Sequence, residues 1–273
     1  MNNLHGKTIF ITGSSRGIGR EIALKCGRDG ANVVITGKTE EAHAKLSGTI
    51  HSVAAEVEAA GGHALAIRLD VRDETALQGA VHEAVQHYGG IDVLVNNASA
   101  IGLSSTLDTP AKRLDLMWQV NMRATFLASQ ACIPYLKQSG NPHILTLSPP
   151  LNLDAKWFAP HVAYSISKYG MSLCALGMAR EFAADGIAVN CLWPRTIIAT
   201  AAIEFNFPQS ILRASRYPSI VADAAYHILT RNSRECTGNF FIDEDILRSA
   251  GVDDFTQYAV TTGVPLFDDL FLD

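Results

Sequence analysis

Tyr164-Ser165-Ile166-Ser167-Lys168 places a phenol and an amine four residues apart. On a helix running from His161 to Asp185, that spacing sets both side chains on one face, side by side. A phenol beside a fixed cation can give and take a proton. Free tyrosine has a pKa of roughly 10, and each unit of depression requires about 1.4 kcal/mol of preference for the phenolate. A neighbouring lysine, helped by the positive charge of an oxidised nicotinamide, supplies several such units in a water-poor cleft. The same pair also occurs on ordinary helices as packing plus a solvated charge, so its meaning depends on the rest of the chain.

The chain has 273 residues, enough for one large α/β domain or two small ones. Its residues are 48% hydrophobic and 18% charged, the balance of a soluble globular protein. A net charge of -5 leaves no basic footprint for nucleic acid or an anionic membrane, so the expected partner is a small molecule. Cys26, Cys132, Cys174, Cys191 and Cys236 are scattered, odd in number and without a CxxC pair. That pattern points to reduced thiols in a cytoplasmic compartment. The histidines show no HExxH or similar spacing, so no metal site is expected. Met1 to Lys7 is too short and polar for a signal peptide, and no apolar run reaches membrane-spanning length.

Thr8 to Thr12 reads as a buried strand that runs into Gly13-Ser14-Ser15-Arg16-Gly17-Ile18-Gly19 and then a helical pattern from Arg20 to Arg28. Strand, glycine loop and helix together aim backbone N–H groups at a phosphate, although a glycine loop alone can be only a tight turn. A second strand, Ala31 to Thr36, is followed by Gly37-Lys38-Thr39, with no carboxylate before Glu40. An acidic residue at this strand end would hold the adenosine ribose and repel a 2′-phosphate. Lys38 and Arg16 stand there instead, which favours NADP over NAD unless both are ordinary surface cations. A helix from His43 to Ala60 is expected next, stopped by Gly61-Gly62, then a strand Ala64 to Leu69 ending at Asp70-Val71. Asp70 is placed to accept from an adenine amino group. A helix from Glu74 to Tyr88 and a strand Ile91 to Val95 lead into Asn96-Asn97-Ala98-Ser99. This alternation predicts a parallel sheet with helices on both faces and its ligand beyond the strands' carboxyl ends.

Thr12 to Gly19, Asn96-Asn97-Ala98, Asn121, Ser148 and Tyr164-x-x-x-Lys168 stand in the order and spacing of the short-chain dehydrogenase/reductase family, which the chain resembles from Thr12 to Lys168. The resemblance implies a single doubly wound Rossmann-type domain over residues 1–273, with a seven-stranded parallel sheet. It implies Tyr164 as general acid/base, Lys168 on the nicotinamide ribose, Ser148 on the substrate oxygen and Asn121 holding a water that connects Lys168 to solvent. The cofactor contacts it carries over are Gly13, Ser15, Arg16, Gly17, Ile18, Gly19, Lys38, Asp70, Val71, Asn97, Ala98, Tyr164, Lys168, Pro194 and Ile197. The chemistry suits those residue types, because hydride addition to a carbonyl builds alkoxide character that a donor pair stabilises.

The chain departs from the family in places that bear on substrate. Ser99 replaces a usual glycine, and Arg195 follows Pro194 where glycine is usual, either to grip an anionic substrate or as a loop cation. The threonine common five residues after that proline is Ala199, with Thr200 one place late, so Ile197 backbone is expected to carry more of the carboxamide contact. Pro149-Pro150 stiffen the loop after Ser148. Leu151, Trp157 and Phe158, with Ile101, Leu103, Trp193, Phe205 and Phe207, are candidates for an apolar cleft, as well as for core or subunit contacts. A strand Gly186 to Leu192, a substrate loop over about residues 200–218, a helix Ile220 to Thr230 and a strand Asn239 to Ile242 complete the pattern. The acidic, aromatic tail from Ile246 to Asp273 is expected to cover a cleft or to pack on another subunit of a homodimer or homotetramer.

The resulting expectation is hydride transfer between NADP(H) and a hydrophobic carbonyl or alcohol. A nucleotide-binding redox sensor or scaffold with weak turnover is the alternative. An epimerase acting on nucleotide sugars uses the same tyrosine and lysine, but no substantial substrate domain follows Tyr164.

Overall fold

Short β-branched runs alternate with helices along the chain, and the central runs are buried on both faces, as strands between two helical layers must be. The computed structural model describes residues 3–42 and 47–273. Its strands are β1 (Thr8–Ile11), β2 (Asn32–Gly37), β3 (His63–Arg68), β4 (Val93–Asn96), β5 (His143–Leu147), β6 (Ala188–Trp193) and β7 (Phe240–Ile242). They form one sheet in the order β3-β2-β1-β4-β5-β6-β7, and every pairing is parallel. The order reverses direction between β1 and β4, where a crevice opens at the carboxyl edge.

The helices are α1 (Gly17–Arg28), α2 (Ile50–Ala59), α3 (Glu74–Tyr88), α4 (Ala111–Met117), α5 (Ala124–Leu136), α6 (Val162–Glu181), α7 (Ala201–Asn206), α8 (Gln209–Arg213), α9 (Ser219–Leu229) and α10 (Asp243–Ser249). Alternate strand residues enter two separate cores. Ile9, Ile11, Val33 and Ile35 meet Ile22, Ile220 and Ile228 of α1 and α9. Phe10, Val34 and Leu94 meet Leu77, Ala128 and Met178 of α3, α5 and α6. A one-residue slip of any strand would exchange its two sets of side chains.

Several boundaries differ from the sequence expectation for local reasons. The helix expected over 43–60 begins at Ile50, because Thr49 and Ser52 form a capping box, with Thr49 Oγ1 accepting from Ser52 N at 3.0 Å and Ser52 Oγ from Thr49 N at 2.8 Å. Residues 43–46 of that expected helix lie outside the described residues. The helix expected to reach Asp185 ends at Glu181, and a turn through Gly186 carries the chain into β6. After β7, Asp243-Glu244-Asp245 open α10, where three carboxylates suit the positive helix end.

Candidate active site

The crevice is assembled from the ends of β1 and β4. Thr12 Oγ1 accepts N–H bonds from Asn97 at 3.0 Å and Ala98 at 3.1 Å. The Asn97 amide donates in turn to the Thr12 and Gly13 carbonyls, both at 2.9 Å. A Cβ on Gly19 would stand 2.5 Å from that amide nitrogen and 2.8 Å from the Gly13 carbonyl oxygen, so only glycine lets α1 start this close to the strand ends. Gly13 has φ of 67°, and a Cβ there would lie 3.0 Å from Ala98 Cα. No side chain caps α1, whose N-cap residue, Arg16, is extended. The leading N–H groups and the positive helix end are therefore left for an anion, and this donor set fits the pyrophosphate of a dinucleotide.

Cations gather beside the cradle. Arg16 Nη2 donates to Thr39 Oγ1 at 3.0 Å and to the Gly48 carbonyl at 3.2 Å, and Nε donates to Ser47 at 3.3 Å. Lys38 lies exposed, 3.8 Å from Asp70. Glu40, the first carboxylate after β2, is turned to Arg68 at 3.1 Å. Asp70 is held by Arg72 at 2.5 and 2.9 Å, which keeps its carboxyl down at about 2. A contact from Asp70 to adenine would thus be shared with Arg72. Ser15 and Val71 are buried beneath this edge.

Tyr164 and Lys168, one turn apart on α6, both line a cavity of about 260 Å³ at the carboxyl ends of the central strands. Ile18, Asn97, Ser99, Pro194 and Thr200 line its margins, and Ile101, Leu103, Trp193, Ile203, Phe207 and Leu270 make it mainly apolar. The Lys168 ammonium donates to the Leu147 carbonyl at 2.6 Å and sits 5.0 Å over the Trp193 ring. Burial pushes Lys168 toward its neutral form. Burial also raises the Tyr164 phenol, and the Asp269 carboxylate adds to the rise. The expected depression of the tyrosine by its lysine is therefore not what the protein groups produce. Desolvation outweighs an amine that is itself partly discharged.

The structure separates several residues that the sequence groups together. Ser148 is fully buried and donates to Cys191 Sγ at 3.2 Å; strand alternation leaves Leu147, not Ser148, on the cavity wall. Arg195 points to Asp245 at 3.5 Å, and its backbone N–H is held by Asp243 at 2.8 Å, so its guanidinium is no part of the cavity wall. Trp157 packs on Phe271, with ring centres 6.1 Å apart, and does not reach the cavity. Ile197 lines the cavity, but its N–H donates to the Phe267 carbonyl at 3.0 Å and its carbonyl accepts from Arg216. Those backbone groups are not free for a carboxamide. Leu151 and Phe158 line a different groove on the outer side of α6, and Phe205 is exposed.

Asn121 lies within a π-helical turn, Trp118–Arg123, fully buried. Its amide donates to the Ala100 carbonyl at 3.0 Å and Ser167 Oγ at 2.9 Å, and it accepts from Ala100 N at 2.7 Å. It thereby fixes the loop after Asn97 to the helix that carries Tyr164.

Sequence reasoning expects the tail to cover a cleft or a subunit contact but names none of its residues at this site. Thr196 bridges to Asp268 and Trp193 Nε1 donates to the Leu270 carbonyl at 2.9 Å, drawing Asp268, Asp269 and Leu270 onto the cavity wall. Phe271 follows at φ 73°, fully buried among the rings of Trp157, His161, Tyr164, Tyr169 and Trp193. The acidic and aromatic composition of the tail was the available signal. Among the described residues, no group of three or more His, Cys, Asp or Glu could hold a metal ion, and no helix is long and apolar enough to cross a membrane.

A glycine cradle at the switch point of a parallel sheet, with a tyrosine and lysine facing one cavity beside it, defines a doubly wound α/β oxidoreductase. The chain belongs to the short chain dehydrogenase family, whose profile matches residues 7–209. It is 57% identical over 270 residues to hydroxysteroid dehydrogenase-like protein 2 of Xenopus tropicalis, covering 99% of this chain and 64% of that protein. The chain thus spans somewhat under two thirds of that relative. A protein structure from Xanthomonas campestris is 53% identical, with a TM-score of 0.96 and 99% of both chains covered. A short chain dehydrogenase of Mycobacterium thermoresistibile is 49% identical with a TM-score of 0.94, covering 99% of this chain and 96% of that one.

Proposed function

We propose that the protein transfers hydride between NADP(H) and a hydrophobic carbonyl or alcohol, with Tyr164 as the general acid/base. The observation that carries this reading is the opening of Tyr164 and Lys168 onto one largely apolar cavity beside the glycine cradle. A bound nicotinamide supplies or accepts the hydride. Tyr164, buried and held protonated, gives its proton to the oxygen of a reduced carbonyl. Lys168, anchored on Leu147, orients the ribose and Tyr164, and the apolar wall excludes water. Oxidation of NADPH across a panel of hydrophobic ketones, aldehydes and 3-oxoacyl thioesters tests the reading; turnover of small polar sugars as fast as apolar ketones would count against the substrate class. A binding protein with weak turnover is the second reading, favoured by the turning of Ser148 to Cys191. Tight NADPH binding with no turnover across the panel would support it.

The preference for NADP rests on Arg16 and Lys38 at the end of β2, with Glu40 committed to Arg68. Arg16→Ala combined with Lys38→Ala is expected to weaken NADPH binding by about tenfold or more, the loss of charge-assisted bonds to a 2′-phosphate, and to leave NADH binding nearly unchanged. Fluorescence titration of both cofactors decides it. Equal losses for the two would remove the preference.

The assembly we favour is a homodimer or larger homo-oligomer formed through α6. Trp118, Phe126, Ile166, Leu173 and Leu176 stay exposed around an apolar groove, more than an isolated surface normally leaves uncovered. Leu173→Glu is expected to shift the sedimentation of the protein to that of a monomer, whereas a wild type that is already monomeric at micromolar concentration would remove the idea. A cytoplasmic setting fits the five unpaired cysteines.

A further inference from the structure

The turn of Ser148 away from the cavity leaves Tyr164 without the second donor that a carbonyl reduction uses at oxygen. Resting on the hydride-transfer reading above, we propose that Asp269, delivered by the C-terminal strap, is that second donor. Asp269 lines the same cavity as Tyr164 and Lys168.

The strap holds Asp269 in one place by contacts on both sides. The Asp269 N–H donates to the Arg195 carbonyl at 3.0 Å, and Phe267 is bonded through its carbonyl to Ile197 N and through its N–H to the Ala214 carbonyl, both at 3.0 Å. On the other side the Leu270 carbonyl takes the Trp193 indole N–H, and Phe271 is locked among five rings. One carboxyl oxygen, Oδ1, accepts from Leu270 N at 2.7 Å. Among the described residues no protein donor is bonded to the second oxygen, and the residue stands on the cavity wall.

The charged and titratable neighbours are Tyr164 and Lys168 on α6, Asp243 on α10 and Asp268 on the strap itself. Burial dominates and pushes the Asp269 carboxyl up, toward the protonated form that can donate. Reduction then balances simply. Hydride from the reduced nicotinamide bonds to the carbonyl carbon, the π pair moves to oxygen, and the Tyr164 proton joins that oxygen. Asp269 keeps its proton throughout and contributes a hydrogen bond that strengthens as charge develops.

Two measurements on the whole protein decide the proposal. Carbon-13 carboxyl titration, with Asp269→Asn to identify the signal, is expected to show Asp269 protonated into the neutral range. A midpoint in the ordinary carboxylate range, around 4, would overturn it. With a ketone that the panel turns over, Asp269→Ala is expected to lose about a hundredfold or more in kcat/KM, the scale of one removed oxyanion donor. Asp269→Asn keeps a donor and should retain activity within about tenfold, without the fall at rising pH that deprotonation gives the wild type. An Asp269→Ala enzyme within about threefold of wild type would sink the proposal alone if Tyr164→Phe is inactive. If Tyr164→Phe is equally active, the assignment of Tyr164 as the acid in the hydride-transfer reading fails with it.

Discussion

Tyr164→Phe is expected to lower turnover by about a hundredfold or more, the scale of a missing general acid. The phenol is buried to 5% exposure on the wall of the cavity, and the phenylalanine ring occupies the same space. Only the proton is lost, so the melting temperature and NADPH affinity should stay close to wild type. A loss of roughly 2.7 kcal/mol in transition-state stabilisation corresponds to that hundredfold effect. The direction of reaction adds a sign. Because burial raises the phenol, it holds its proton through neutral pH, so Tyr164 itself imposes no fall on ketone reduction there, whereas alcohol oxidation, which needs the phenolate, should rise as pH increases. NADPH absorbance and a thermal melt, measured on the same preparations, check both statements. A variant that keeps wild-type turnover would move the acid elsewhere.

Phe271→Ala should cost about 3–5 kcal/mol of stability, the range for emptying a large aromatic site in a packed core. Its ring is fully buried and lies 5.2 to 6.3 Å from five neighbouring ring centres, two of them Tyr164 and Trp193 of the cavity. These rings come from α6, the end of β6 and the loop before α6, and Met117 of α4 and Ile242 of β7 belong to the same buried cluster. Chemical denaturation followed by tryptophan fluorescence reads the loss. A change below about 1 kcal/mol would mean that the strap does not dock on the protein in solution. The strap's outer end is tied more weakly, through an exposed pair between Lys156 and Asp273, with Asn152 donating to Asp273 at 2.9 Å. Exposed pairs of that kind contribute little.

Much of the fold is legible in local chemistry. The α3 boundaries follow from Asp73, which accepts from Ala76 N at 3.0 Å, and from Gly89, left-handed at φ 84°. β5 is a run of five buried residues, His143 to Leu147, that stops one residue short of a proline pair. The rhythm of alanine, valine and glutamate does not locate the start of α2, which the Thr49 and Ser52 pair marks. The site is less legible than the fold. Spacing brings Tyr164, Lys168, Asn97 and the glycine loop to one edge, but it does not say which way a side chain at a strand's end turns. Ser148 and Leu147 are adjacent, and their exchange of roles depends on the pleat. Arg195 looks like a substrate cation until α10 places Asp245 in front of it. Asp269 and Phe271 lie on a segment without periodicity, held by single backbone bonds to distant loops, and no local pattern encodes such a path.

The packing of α1 on α9 has a consequence for how the protein is made. Ile22, Ala23 and Cys26 of the first helix share a core with Ile220, Ala224 and Ile228, and Lys25 pairs with Asp223 at 2.7 Å. A ribosome must add nearly two hundred residues after α1 before this partner exists. The glycine cradle therefore emerges early but acquires its rigid backing late, and until then an apolar helix face stays open to wrong partners. The portion matched by the family profile ends at residue 209, ahead of α9. It holds the tyrosine and the lysine, yet it is not a unit that can bury its own first helix.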